Sequence, residues 1–531
     1  MYDDAVGRCY IPADHLLRRV HAAVDFSCVR AAVAELYHDR TGRPARDPEM
    51  LMRLTFLQMQ YHLSDRGVIE RAQTDHAFRF FLGLDWNDEL PHPTTLTKFR
   101  NRLGEEGFKA IFGGILEQAE QAGLVTNRRL LIDSYSVRAD IAVPGFRPLL
   151  DRVIGKALAA LEGTDVDRQY LAVEYEALRR DQSYRLGAQL RRQLLAEWLS
   201  LAELVAEALE ALPGRDAAQQ ESLELLNAAL QRAAHHGRRN IKQDDLLSDV
   251  DPDARWSCKQ RGRQTEAGYR EQLAVDAEHG LVTHVEVTPG NTDDSEALQT
   301  MVAEHTERVG KPAEVVADSK YQSGDNRAHL AREQITDHIA APTPKGGKQG
   351  KFSTADFLLE YDEDGRPLVA LCPAGELAES PKWNEGKHAW VFHFRAAQCA
   401  GCPLRERCSR QKRGRQLTVD QHYHLTEAAR ARQGSPEGQA AQIERLGIER
   451  QFAYQQRQGG RRTRFRGLSR NRLWGWAWGI YLNVRRLTQL VDDGVPERVA
   501  AKLDRGSGAG AANLDRGSGV AAANLYSLAP T

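Results

Sequence analysis

Apolar residues recur at helical spacing through the first quarter of the chain. Met50, Leu51, Leu54, Leu57 and Tyr61 follow Asp47-Pro48, an N-cap with proline at the first helical position. A further helix is expected from about Gly67 to Phe81. In PHPTTLTKFRNRLG, Thr94 or Thr95 can cap another, Leu96, Phe99 and Leu103 form its apolar face, and Gly104 can stop it. Lys98, Arg100 and Arg102 project from the remaining faces. They read either as a solvated surface or as a helix-turn-helix-like unit that lays this helix in a DNA groove.

The period changes at Asn127. RRLLIDS is a short apolar run, a buried strand ending in Asp133. Residues 150–239 return to helical periodicity, most clearly in LRRQLLAEWLSLAELVAEALEAL, with no evident chemistry. REQLAVDAEHGLVTHVEVTPGNTDD predicts a hairpin turning at AEHG, followed by a helix from Asp294 to Arg308. VVADSKYQSGDN is another strand ending in a carboxylate, Asp318, with a helix near Arg327 and a last strand at HIAAP. The segment from Ser435 to Gln458 is helical and ends at Gly459-Gly460. A final helix from about Ser469 carries Leu473, Ala477, Ile480, Val484 and Leu487 on a face widened by Trp474, Trp476 and Trp478. Beyond Asp493 the sequence LDRGSG repeats at Leu503 and Leu514, a low-complexity tail expected to be disordered.

At 531 residues the chain exceeds what one hydrophobic core supports. No apolar run is long enough to span a membrane, and the N-terminus lacks the basic and apolar regions of a signal peptide, so a cytoplasmic location is expected. The net charge of -1 does not suggest a nucleic-acid binder, yet it hides a local excess: from Arg445 to Arg472 there are nine arginines and a single acid, Glu449. Arg457, Arg461, Arg462, Arg464 and Arg466 are candidate phosphate contacts within it, and Lys259 belongs to a weaker basic cluster.

Of seven cysteines, Cys9, Cys28 and Cys258 are isolated and read as buried thiols. Cys372, Cys399, Cys402 and Cys408 cluster. A Cys-x-x-Cys pair with two more thiols suits a tetrahedral structural Zn²⁺ site, or else reduced thiols packing a small subdomain. Asp133 and Asp318 end apolar strands, where a carboxylate is costly unless it is paired or binds a cation. With Glu449 they offer hard oxygen ligands suited to Mg²⁺ or Mn²⁺, and two such ions can promote phosphoryl transfer. Asp276 also ends a strand, but the AEHG turn follows at once, so it reads as a hairpin residue.

These blocks together resemble the DDE transposases of bacterial insertion sequences, in the group with an N-terminal helical domain and a cysteine-containing insertion. LLIDSYSVRADI resembles the first catalytic block, VVADSKYQSGDN the second aspartate block, and IERLGIERQFAYQQRQGGRRTRFRGLSRNRLWGWAWGIYLNVRRL the glutamate block. PHPTTLTKFRNRL and the REQLAVDAEHGLVTHVEVTPGNTDD block fall in the same order, and the likeness covers roughly 40–490. The resemblance implies an α+β, ribonuclease-H-like catalytic domain (126–149, 240–345 and 432–492) whose metal-binding triad is Asp133, Asp318 and Glu449. It also implies an N-terminal all-α DNA-binding domain (1–125), a helical insertion (150–239), a cysteine-containing insertion (346–431) and a tail (493–531). The implied activity is cleavage and strand transfer at element ends. The implied partners are double-stranded DNA, both terminal inverted repeats and target, with a homo-dimer at work. Related enzymes often place Tyr, Arg, Glu and Lys around the glutamate. Here Arg445 keeps the Arg position, a candidate phosphate contact, but Gln442 and Gln456 stand for Tyr and Lys, which puts a hairpin-forming cleavage route in doubt. Rival readings are a domesticated, inactive DNA-binding protein, a ribonuclease-H-like nuclease that only hydrolyses, and a zinc-stabilised helical adaptor.

Overall fold

The helical stripes of the first quarter fold much as their spacing predicts. In the computed structural model, which describes residues 11–36, 46–164, 168–180, 187–233, 244–257, 266–342, 351–409 and 411–497, six helices precede the first strand. They are α1 (Leu16–Ala23), α2 (Cys28–Val33), α3 (Pro48–Tyr61), α4 (Asp65–Thr74), α5 (His76–Leu82) and α6 (Pro93–Gln121). Asp47 caps α3, accepting from the amide of Glu49 at 3.2 Å, with Pro48 at N1. The single helix expected over 67–81 is two, α4 and α5, because Asp75 ends one and caps the next through the amides of Ala77 and Phe78. The cap of α6 is His92, not Thr94 or Thr95, which lie inside the helix. Gly104 breaks α6 with φ 58°, but helix resumes beyond it and runs to Gln121.

The central sheet is mixed. After β1 (Arg129–Arg138) come α7 (Phe146–Ala160), α8 (Arg168–Arg180), α9 (Ala188–Glu210) and α10 (Ala217–Ala233). Then follow β2 (Arg255–Ser257), β3 (Glu266–Asp276), β4 (Leu281–Pro289), α11 (Asp294–Val309), β5 (Glu314–Ala317), α12 (Gly324–Arg332) and β6 (Thr336–Ile339). The strand order is β2-β3-β1-β5-β6, with β4 also paired to β3. β3 runs antiparallel to β1, β2 and β4, while β5 is parallel to β1 and β6. The hairpin turns where expected: buried Asp276 accepts from the turn amide of His279 and, more extensively, from Thr126 and the amide of Asn127 in the segment leading into β1. Helices α7–α10 close their own apolar core around Leu150, Val153, Trp198, Leu201 and Val205.

The cysteine-containing segment is built from β7 (Leu358–Tyr361), β8 (Pro367–Leu371), β9 (Leu377–Glu379), β10 (Lys382–Asn384), β11 (Ala389–Phe394), α13 (Ala396–Ala400), α14 (Arg405–Cys408) and β12 (Arg415–Asp420). Its strands form two three-stranded antiparallel sheets. α15 (Tyr423–Gly434), α16 (Pro436–Arg457) and α17 (Leu468–Asp492) follow, the last helices among the described residues.

Alternation along β1 divides the two faces of the central sheet. Leu130 and Ile132 join Ala274, Leu298, Met301 and Ala317 under α11 and α12. Leu131 and Tyr135 face α16 and α17. The tryptophans of α17 are buried, and its core is continuous with the N-terminal helices: Phe112 meets Trp476 at 5.1 Å and Phe56 meets Tyr481 at 5.3 Å. The N-terminal helices are thus packed into the sheet's own core. Among the described residues no helix is long and apolar enough to cross a membrane. Lys259, Cys9, Cys258 and the tail from 498 onward lie outside the described residues.

Candidate active site

Sheet register brings Asp133 and Asp318 together, although β1 does not end at Asp133 as the apolar run suggests: its pairing with β3 carries it on to Arg138, so Asp133 lies in mid-strand and only Asp318 follows a strand end. β1 and β5 are paired in parallel, with Ile132 opposite Ala317, so one residue further on Asp133 and Asp318 stand side by side, roughly 5 Å apart along the hydrogen-bonding direction. α16 crosses above them because Ile448, Phe452 and Gln455 are its buried stripe, which turns Arg445 toward the strand ends. Arg445 donates to Asp133 at 2.6 Å and reaches Glu449, four residues on, at 3.6 Å. It therefore links two of the three acids across elements. Gln442 donates to the carbonyl of His338 at 2.6 Å and ties α16 to the ends of the parallel strands.

Burial pushes the Asp133 carboxyl up to about 6, and the nearby charges of Asp318 and Glu449 push the same way. The amide of Ser134, at 2.8 Å, and Arg445 oppose the shift. The site is thus an acidic corner short of positive charge. Its donors are all carboxylate oxygens, the set that suits Mg²⁺ or Mn²⁺. Among the described residues, no three His, Cys, Asp or Glu side chains are gathered as closely as a metal-ligand set requires. Glu449 itself is about half exposed, so its side chain has room to swing.

Beneath the corner lies a second layer that the sequence does not reveal. Arg270, buried on β3, donates to both oxygens of Asp294 at 2.6 and 2.7 Å, and Ser134 donates to the same carboxylate at 3.0 Å. Lys320 stands 3.7 Å from Asp294. Tyr321 is fully buried and donates to Gln272 at 2.9 Å; burial holds its hydroxyl protonated, aided by the charges of Asp294, Asp133 and Asp318. The adjoining acids Asp293-Asp294 ahead of a helix are the available signal, with Asp293 as the cap and Asp294 turned inward.

The basic candidates separate by burial. Arg100 is 6 % exposed and bonded to Asp65, so the fold uses it internally and it cannot contact DNA. Arg445 is bonded to the acids instead of facing outward to a phosphate. Lys98, Arg102, Arg457, Arg464 and Arg466 are exposed. Arg461 pairs with Glu266 at 2.8 Å and Arg462 with Asp140, both at the surface. The stretch carrying them is anchored to β1, since the amide of Arg138 donates to the carbonyl of Arg461 at 2.8 Å and the amide of Thr463 donates to the carbonyl of Arg138 at 2.9 Å.

The four clustered cysteines, all reduced, line one cavity of about 30 Å³. Cys372 accepts from the amide of Glu376 at 3.4 Å. Burial raises the Cys408 thiol, with Cys399, Cys372 and Cys402 adding to the shift and Arg415 opposing it. The local core is small: Phe357, Phe392, Phe394, Leu417 and Val419 with two alanines.

Comparison with known proteins finds two matched stretches, which include Glu449 and the cysteine cluster but neither Asp133 nor Asp318. Residues 6–102 match the family described as "Transposase domain (DUF772)", and residues 371–488 match "Transposase DDE domain". The second match runs without a break from Cys372 through most of α17, so the cysteine segment and the Glu449 helix fall within one family unit. A "Transposase for insertion sequence element IS1106" of Neisseria meningitidis serogroup B is 28% identical over 155 residues, 27% of this chain and 51% of that protein. An "Uncharacterized protein ORF8 in nfe locus" of Rhizobium meliloti is 30% identical over 89 residues, 16% of this chain and 43% of that protein. The chain thus spans about half the length of the curated relatives it matches. No solved structure matches the chain.

Proposed function

The chain belongs to the DDE transposases of insertion sequences, and from that premise we propose that Asp133, Asp318 and Glu449 form its catalytic triad, cutting DNA at element ends and joining it to a target. The observation that carries the reading is the parallel register of β1 and β5, whose last pair, Ile132 and Ala317, is followed in each case by an aspartate, with Glu449 on the helix above and Arg445 bonded between helix and strand. The mixed sheet is compatible with a ribonuclease-H-like fold, which we assign to it.

Divalent metal use goes with the DDE domain, and the three carboxylates are the groups that would hold a pair of ions to activate the attacking oxygen and stabilise the leaving one. The chain's own part is positioning. Arg270 and Asp294 fix Ser134 and hence the middle of β1 beside Asp133. Arg445 balances the charge of Asp133 until a cation is bound. Exposed Glu449 completes the set by a side-chain movement on a rigid helix. The exposed arginines beyond α16 would hold duplex phosphates, and action on two ends calls for a homo-dimer.

The test is cleavage of duplex DNA carrying the element ends, in Mg²⁺, by the full chain beside Asp133→Asn, Asp318→Asn and Glu449→Gln. Each variant should lose cleavage by several orders of magnitude while keeping its melting temperature within a few degrees. Cleavage by all three at the wild-type rate refutes the triad. An inactive wild-type protein that still binds the ends selects the domesticated reading, and cleavage without joining selects a nuclease.

For the cysteine segment we propose a structural Zn²⁺ held by Cys372, Cys399, Cys402 and Cys408. It is supported by the shared cavity of the four thiols, which would have to draw together around the ion because no three of them are gathered to ligand spacing, and by a core too small to stabilise its sheets unaided. Close to one equivalent of zinc in the purified chain, absent from a Cys399→Ser/Cys402→Ser variant, is the expected result; a metal-free, fully folded wild type excludes it.

A further inference from the structure

α16 has a second functional flank. Behind the helix, away from Arg445 and Glu449, lies a groove of about 770 Å³, floored by Leu131, Val275 and Leu482 and walled by α16, α17, the β3–β4 turn and α1. Arg19, Arg450, Arg457, Arg485 and Arg486 line it, against Glu278, Glu444 and Asp492. Those acids are already engaged: Asp492 with Arg19 at 2.9 Å, and Glu444 and Glu278 with Arg129 and Arg128 at 2.8 and 3.2 Å, two arginines outside the lining. The contacts of the other arginines leave their charge standing. Arg457 donates to the Ala453 carbonyl at 3.3 Å, Arg486 donates to Gln489 at 2.8 Å, and Arg485 lies 5.8 Å from the Tyr454 ring centre. The groove is therefore a concentrated positive field over an apolar floor.

Gly447 points the same way. It sits in the middle of α16 on the groove wall, where glycine weakens a helix, yet a Cβ built there meets nothing within 4 Å. Packing against the rest of the chain does not call for glycine at this position, and its bare backbone opens the wall to a close-fitting ligand. The groove's aromatic is not a stacking platform for single strands: Tyr454 is stacked on Tyr481 at 7° between planes, with Arg485 over the ring.

We propose that this groove is a second DNA surface, holding the phosphate backbone of a duplex outside the cleavage corner without reading its sequence. The proposal rests on the transposase reading above. Such binding is governed by counterion release, so removing one arginine–phosphate ion pair should flatten the dependence of log K on log salt by about 0.9. The experiment is fluorescence anisotropy with a labelled short duplex of arbitrary sequence, between about 50 and 200 mM salt, using the full chain. Arg450→Gln/Arg457→Gln removes two exposed charges and should make the slope shallower by about two. Gly447→Asp sets a carboxylate into open groove space and should weaken binding at every salt concentration, with an unchanged melting temperature. Wild-type affinity and slope in both variants overturn the proposal, as does tighter binding of a single-stranded probe than of the duplex. Cleavage by Asp133→Asn, measured in parallel, reports on the catalytic reading alone, so the two can fail separately.

Discussion

A carboxyl group inside a sheet can be tolerated by losing its charge or by pairing it, and neighbouring elements of this sheet show both. Glu271 is fully enclosed on β3 and accepts from Gln455 at 2.8 Å; burial pushes its carboxyl up to about 8, against the hydrogen bonds from Gln455 and Tyr135. An unfolded glutamate titrates near 4.3. Between those values the folded chain holds a proton that the unfolded chain has released, so stability falls as pH rises from about 4.3 to 8, and levels off above. Glu271→Gln should remove about 1.4 kcal/mol of slope per pH unit in that window, read from urea unfolding across it; parallel curves for variant and wild type would show the group is charged in the fold. Asp294, on α11, takes the other course, paired with Arg270. Asp294→Ala leaves a buried guanidinium unpaired and should cost about 3–5 kcal/mol, with the loss visible in the same unfolding curves. Only some of this is legible in the sequence. Asp133 and Asp318 stand out because each follows a short apolar run, although β1 passes through Asp133 to Arg138 and the run alone does not show that the strand continues. Glu449 stands out as the single acid in an arginine-rich stretch, and only resemblance gives it a role, since an exposed helical acid has no local mark of metal binding. The Arg270–Asp294 pair joins a strand to a helix beyond the next strand, and no local pattern announces it. Arg100 misleads because helical spacing shows which residues are polar but not which of them the fold turns inward onto a partner such as Asp65.

Elements with a strong period are readable, and those decided by one residue are not. β1, the β3–β4 hairpin, α16 and α17 follow from alternation or from a stripe of large side chains. The division of 67–81 into two helices depends on Asp75 being a better cap than helix interior, which apolar spacing cannot show. β2 and the strands of the cysteine segment, three to six residues each, are too short for their alternation to be distinguished from loop. At Gly104 the stop signal holds but its consequence is different: φ 58° and ψ -164° turn the chain between two helical halves that both pack into the core. A Cβ there would meet nothing within 4 Å, so any cost of substitution comes from the backbone itself. Gly104→Ala should therefore destabilise by about 1–3 kcal/mol without creating a clash, measured as a shift in the urea midpoint at constant slope. A neutral result would mean that the two halves can realign.

At the scale of the whole molecule, the four-helix insertion leaves and re-enters the sheet at nearly one point. β1 ends with Arg138 opposite Gly268, and β2 begins with Arg255 opposite the same glycine from the other side. Two inter-strand spacings, about 10 Å, therefore separate the strand ends that flank more than a hundred residues of intervening chain. The insertion has its own core in α7–α10, so its stability does not depend on filling the sheet. Asp249 belongs to it through Arg152 and Lys156 at 3.2 and 3.0 Å, whereas Asp251 belongs to the sheet, accepting from Tyr269 and from the amide of Gly467. The seam therefore falls at residue 250. Replacing residues 142–249 by a short flexible linker should leave a remainder that melts cooperatively, with Tyr269 still bonded to Asp251. The excised piece, made alone, should be helical by circular dichroism with its own transition. If the remainder precipitates while the excised helices fold, the insertion shields a surface of the sheet. If neither folds, the two cores are one cooperative unit and the seam at 250 is not a boundary.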